Sequence, residues 1–152
     1  MKKYFVIGIL LLMLVVLNSQ VAIQNSKRVL ITSSRSDYKK DLVAQIVDEL
    51  TEMQCEVVVE NNKFLKDTNP MEYDAIVILN KIYAGKQEKK VRNFLAGLSE
   101  KEKEKVLVVN TVGAKKYVAK QPNVPLITSA SENSKAEETA REMMYWLKSK
   151  LK

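Results

Sequence analysis

Six consecutive residues, Asn80-Lys81-Ile82-Tyr83-Ala84-Gly85, put an amide, a cation, an aromatic ring and a glycine into one loop. The loop follows the apolar run Ala75-Ile76-Val77-Ile78-Leu79. It precedes a stretch in which Val91, Phe94, Leu95 and Leu98 share one helical face and Lys86, Glu88, Lys89, Lys90 and Arg92 lie mainly opposite. Two other polar stretches also follow apolar runs. They are Thr32-Ser33-Ser34-Arg35-Ser36-Asp37 and Thr111-Val112-Gly113. In open α/β sheets ligands bind beyond the carboxyl ends of the strands, so the chemistry expected of these loops is ligand binding, and the loop 80–85 is the first place to look. The chain has no His. That removes the commonest general base, the commonest metal ligand and any Ser-His or Cys-His pair. The lone Cys55 can form neither an internal disulfide nor a zinc site, and it reads as a structural thiol at the start of a strand.

The elements that must position these loops are legible in order. Five apolar residues with three β-branched among them fit a strand covered on both faces, as in a parallel sheet. Arg28-Val29-Leu30-Ile31-Thr32 reads as the first strand. A helix from about Tyr38 to Met53 follows, with Leu42, Val43, Ile46, Val47 and Leu50 on its apolar face and Asp37 placed to cap it. Gln54 to Glu60 is a second strand. Asn61 to Pro70 is polar, with at most one helical turn around Phe64-Leu65. After the strand 75–79 and a helix from Gln87 to Leu98, Ser99 to Lys105 reads as a solvated charged turn. Val106 to Asn110 is a fourth strand and Ala114 to Lys120 a short helix. Val124 to Thr128 is a fifth strand, and its proline suits an edge. Ser131 to Lys150 is a closing helix, with Ala136, Ala140, Met143, Met144 and Leu147 facing inward and Trp146 beside them. Such alternation predicts an α/β fold with a doubly wound, five-stranded parallel sheet of order 2-1-3-4-5.

Composition bounds the setting. There are 25 Lys and Arg against 18 Asp and Glu, a formal net charge of +7. The excess is spread over Lys-Lys pairs rather than gathered with aromatics, so it reads as a solvated surface and not as a nucleic-acid footprint. Residues 1–23 read as an N-terminal membrane anchor or uncleaved signal, 24–27 as a linker and 28–152 as the domain. The apolar run from Tyr4 to Leu17 spans about 14 residues, and about 20 when counted through Ile23 across Asn18-Ser19-Gln20, enough for a bilayer. No small-x-small cleavage site follows and no Cys is available for lipid attachment, which favours a retained single-pass anchor in the cell membrane over a cleaved signal. Lys2 and Lys3 compete with Lys27, Arg28, Arg35, Lys39 and Lys40, so sidedness stays open.

Three segments resemble the flavodoxin family: VLITSSRSDYKKDLVAQIVDEL from Val29, EYDAIVILNKIYAGKQEKKVRNFL from Glu72, and VLVVNTVG from Val106. The second, a Tyr-Asp-apolar strand followed by Ile-Tyr-Ala-Gly and a Lys-rich helix ending in Phe-Leu, is the most specific. The likeness covers nearly the whole domain. It extends especially to short flavodoxin-like proteins that include membrane-associated protoporphyrinogen oxidases. The resemblance implies FMN as cofactor, held at three loops. Thr32, Ser33, Ser34, Arg35 and Ser36 would hold the phosphate. Asn80, Ile82, Tyr83, Ala84 and Gly85 would pack against the ring, with Tyr83 stacking. Thr111, Val112 and Gly113 would complete the site. The sequence departs from the family where Asp37 stands near a glycine's place, Lys39 near that of the closing Thr, and Asn80-Lys81 where small residues are usual.

Two functions are therefore expected. One is a membrane-anchored, FMN-binding redox or electron-transfer protein, an FMN-dependent oxidoreductase with a partner protein of unknown identity. The other is a flavodoxin-like domain without flavin, serving as an interaction or small-ligand module at the membrane. Tyr83 would stack on flavin in the first and anchor its loop to the domain in the second. A third expectation is that the basic domain meets anionic lipid headgroups.

Overall fold

The computed structural model describes residues 26–34, 36–113 and 124–152. The N-terminal apolar segment, Arg35 and the short helix expected from Ala114 lie outside those residues. Among the described residues no helix is long and apolar enough to cross a membrane.

Strand β1 (Arg28–Ser33) leads into helix α1 (Asp37–Glu52) and strand β2 (Glu56–Asn61). Two 3-10 segments, Asn62–Asp67 and Pro70–Glu72, connect to β3 (Ala75–Lys81). Helices α2 (Lys89–Gly97) and α3 (Glu100–Lys103) lead to β4 (Val106–Val112), and β5 (Leu126–Ala130) is followed by α4 (Ala136–Lys150). All pairings are parallel and the order is β2-β1-β3-β4-β5, as expected from the alternation of elements. The chain runs outward from β1 to β2 and then returns to β3 on the other side of β1, so the order reverses between β1 and β3 and the carboxyl edge near residues 33 and 80, with 110 beside them, is the natural ligand crest.

The period-2 alternation of strand side chains divides the core into two layers. Val29, Ile31, Val77, Leu79, Leu107 and Val109 face α1 and α4, where Leu42, Ile46, Leu50, Met143 and Leu147 meet them. Leu30, Ile76, Ile78, Val106 and Val108 face the other way, onto Leu65, Val91, Leu95 and Leu98. Each fully buried aliphatic side chain contributes on the order of 1.5–3 kcal/mol of transfer free energy. The second layer is thinner, because β2 and β3 are joined by 3-10 turns rather than by a full helix. The outer edge strand β2 leaves Val59 half exposed between Glu56 and Glu60.

Several local expectations are corrected. Ser36, not Asp37, caps α1: its Oγ accepts from the Lys39 N–H, and Asp37 is the first helical residue. The charged run after Ser99 is the helical turn α3, closed by a capping box in which Glu102 accepts from the Ser99 N–H at 2.8 Å. The fifth strand begins at Leu126 rather than Val124, since the intervening Pro125 offers no ladder donor. The closing helix is preceded by a 3-10 turn, Asn133–Lys135. Cys55 is half-buried, and burial pushes its thiol up, in keeping with a structural role. Trp146 packs partly buried on the first layer.

Candidate functional site

Strand register brings the expected loops to one end of the molecule. Ser33 pairs with Leu79, Asn80 with Asn110 and Lys81 with Thr111, so the exits of β1, β3 and β4 are neighbours. The link between the first two is Lys39. It lies on the buried stripe of α1 with Leu42, Ile46 and Leu50, and only 3% of its surface is exposed. Its Nζ donates to Ser34 Oγ at 2.6 Å and to the Leu79 carbonyl at 3.3 Å. Burial lowers the ammonium from its usual 10.5 to about 8; Glu88 opposes that shift and Lys81 adds to it. Glu88 lies against Ser34. Burial pushes its carboxyl up, but Ser34, Lys90 and Lys39 outweigh this and hold it below the ordinary glutamate value.

Asn80 is fully buried, and its side chain holds the crest together. Its Nδ2 donates to Asn110 Oδ1 at 2.7 Å and its Oδ1 accepts from the Glu88 N–H at 3.1 Å. Gln87 adds a 3.3 Å bond to the same Asn110 oxygen. Thr111 Oγ1 donates to the Asn80 carbonyl at 3.1 Å, and the Ile82 N–H donates to the Thr111 carbonyl at 3.0 Å. Ile82, Thr111 and Val112 are all buried, while Gly113 is exposed. Asn80, Ile82, Thr111 and Val112 therefore form the floor of the crest.

Tyr83 behaves differently. Residues 83–86 form a tight turn in which Tyr83 and Lys86 exchange two backbone bonds of 3.0 Å. Ala84 and Gly85 take φ values of 49° and 74°, the left-handed pair that a type I′ turn requires. The turn leaves Tyr83 78% exposed, so its ring does not anchor the loop to the domain. Asp37 does not face the crest: its side chain is 93% exposed and pairs with Lys40 at 2.9 Å. The carboxylate near a glycine's place is thus turned outward.

Four buried side-chain polar atoms lack a hydrogen-bond partner among the described residues: Thr32 Oγ1, Asn62 Oδ1, Glu88 Oε1 and Asn110 Nδ2. All four belong to the carboxyl end of the sheet. Asn62 directly follows β2, where its Nδ2 donates to the Leu79 carbonyl at 3.1 Å. Native interiors leave few such atoms, and their concentration at one end is what a polar ligand site produces. Sequence reasoning misses Asn62, Gln87 and Glu88. It marks Lys39 only as a departure from the family, although a spacing of three and seven residues from Leu42 and Ile46 puts Lys39 on the buried stripe.

Comparison with known proteins bears on the fold. No protein-family model matches the chain, and no curated protein matches it. Among solved structures, an oxidoreductase from Corynebacterium diphtheriae superposes with a TM-score of 0.57 at 10% identity, over 84% of this chain and 97% of that one. Flavodoxin 2 from Bacillus cereus gives a TM-score of 0.51 at 13% identity, over 82% and 99%. A flavo di-iron protein from Thermotoga maritima gives 0.55 at 15% identity, over 86% of this chain and 38% of that one. The fold is flavodoxin-like, with the five-stranded sheet order of those proteins.

Proposed function

We propose that this flavodoxin-like chain binds FMN at the crest and serves as a redox or electron-transfer protein held at a membrane by its N-terminal apolar segment. The observation that carries the reading is the clustering of orphaned buried polar atoms at the end of the sheet where an exposed aromatic and a buried ammonium also stand. A Treponema denticola protein of the same fold, with a TM-score of 0.50 at 14% identity, was solved with FMN.

The residues fit the group. The Lys39 ammonium donates to two acceptors and has a third N–H for a phosphate oxygen. Ser33, Ser34 and Ser36 stand beside it at the start of α1, and Asp37 points away. Tyr83, carried outward by its turn, would cover an isoalloxazine ring, and Gly85 lets that turn form without a side chain in the way. FMN supplies reversible electron uptake and release when bound. The chain binds it, orients the ring against Tyr83 and fixes local charge through Lys39, Lys81 and Glu88, whose fields tune a flavin's potential.

Titration of the full chain in detergent micelles with FMN tests this. A yellow complex with micromolar or tighter affinity is expected, with riboflavin at least tenfold weaker because it lacks the phosphate. No bound flavin under excess FMN refutes the reading. A second reading, a flavin-free ligand or interaction module, is favoured by one observation: the Lys39 ammonium already donates to Ser34 Oγ and the Leu79 carbonyl and feels the Glu88 carboxylate, without any bound anion. Protease protection of vesicle-embedded protein reports the side on which the domain lies.

A further inference from the structure

On the thin face of the sheet, α2 and the 3-10 segment Asn62–Asp67 bound a groove of about 730 Å³. Its floor is apolar. Leu65 and Leu98 are buried there, and Phe94 packs partly buried beside them. Its rim carries four lysines, Lys63, Lys66, Lys89 and Lys90, and one carboxylate, Glu102, which is engaged by the Ser99 N–H in the α3 capping box. Lys66 lies 3.7 Å from Asp67 and Lys90 lies 3.2 Å from Glu88. Lys63 and Lys89 have no carboxylate at ion-pair distance among the described residues.

The groove has a direction. Helix α2 runs antiparallel to the strands, so Lys89 and Lys90 at its start lie toward the carboxyl crest, and Gly97 and Leu98 lie toward the amino end. Lys63, just after β2, is also at the crest end; Pro70, just before Ala75, is at the amino end. The chain enters β1 at that same amino end, through Lys27 and Arg28, which Asp74 holds at 3.2 and 2.9 Å. A linker of four residues reaches at most about 14 Å, so a preceding membrane anchor keeps this end against the bilayer. The apolar end of the groove then opens toward lipid and the cationic end stands away from it.

We propose that the groove takes an anionic phospholipid drawn partway from that membrane, one acyl chain along Leu65, Phe94 and Leu98 and the phosphate at Lys63 and Lys89. Charge complementarity selects the head and the apolar floor holds the chain. A helix of nine residues spans about 13 Å, a length that roughly ten extended methylenes cover. The inference rests on the membrane tether of the proposed function but not on flavin binding.

Full-length protein in nanodiscs containing a phosphatidylglycerol with a photoreactive acyl chain tests it. Adducts are expected on peptides covering 63–70 and 89–98, at least fivefold more than with the phosphatidylcholine analogue. Gly97 lines the groove, and a Cβ there meets nothing within 4 Å. Gly97→Phe should fill the space without disturbing the helix and cut those adducts at least fivefold. The double replacement Lys63→Gln and Lys89→Gln should erase the preference for the anionic lipid. Monomeric lysophosphatidylglycerol carrying the same photoreactive group separates the two premises: labelling of the groove by it when the protein fails to enter discs upholds the groove and overturns the tether. Adducts confined to residues before 26, adducts unchanged in Gly97→Phe, or cross-links showing the N-terminal segment itself in the groove overturn the proposal.

Discussion

Replacing Lys39 by methionine tests the electrostatics of the crest quantitatively. A buried ammonium lowered from 10.5 to about 8 carries a cost of about 3 kcal/mol in the fold, at 1.36 kcal/mol per unit. Below pH 8 both folded and unfolded chains hold this proton, so the full cost is present at pH 7. Between about pH 8 and 10.5 the unfolded chain binds more of the proton than the folded one, and stability rises with pH. The Lys39→Met variant escapes the cost but loses hydrogen bonds to Ser34 and the Leu79 carbonyl, each worth about 1 kcal/mol. The Leu79 carbonyl keeps its bond from Asn62, so it is not orphaned. The variant should therefore be about 1–2 kcal/mol more stable at pH 7, a gain of roughly 1 M in the urea midpoint. The gain should shrink above pH 8 and reverse by about pH 10.5. Urea melts of both proteins from pH 6 to 10.5 read the difference, in which titrations common to both cancel. A difference that stays flat across that range, or a variant more than 1 kcal/mol less stable at pH 7, would refute the reasoning.

Flavin affinity should follow the same proton in the opposite sense. Phosphate favours the charged ammonium, so the FMN dissociation constant should be level between about pH 7, where the phosphate is dianionic, and pH 8, and rise by up to tenfold per pH unit above it, measured by fluorescence quenching. Asn80→Ala removes the shorter of the two bonds to Asn110 Oδ1, leaving that from Gln87, and the acceptor of the Glu88 N–H; it should cost about 2 kcal/mol in urea melts, with faster amide exchange at the start of α2. Ala84→Gly and Gln54→Gly place glycine at φ values of 49° and 60°. Each should raise stability by about 0.5–1 kcal/mol, read as a thermal midpoint a few degrees higher.

The sheet was legible because each inner strand is a continuous apolar run, and parallel strands buried on both faces have that pattern. The meeting of residues 33–36 with 80–85 followed from the strand order and needed no side-chain detail. What the sequence hid was the direction of polar side chains. Asn80 sits at the end of an apolar run, where a ligand contact and a buried brace look alike; its pairing with Asn110, thirty residues away, decides for the brace. Ser36 and Asp37 are both good caps, and only the point where β1 releases the chain chooses Ser36. The 3-10 segments after β2 have no 3.6-residue periodicity to reveal them. Lys39 was obscured by its charge, although its position on the α1 stripe matched that of its apolar neighbours.

The half-exposed outer margin of β2 has a consequence for how copies of this chain meet. A free strand margin of sequence EVVVE invites self-pairing. An antiparallel duplex centred on Val58 would set Glu56 of each copy directly opposite Glu60 of the other, and like charges so placed repel. The two glutamates thus act as gatekeepers against filament growth, Glu60 above all, because Arg28 already pairs with Glu56 at 2.8 Å.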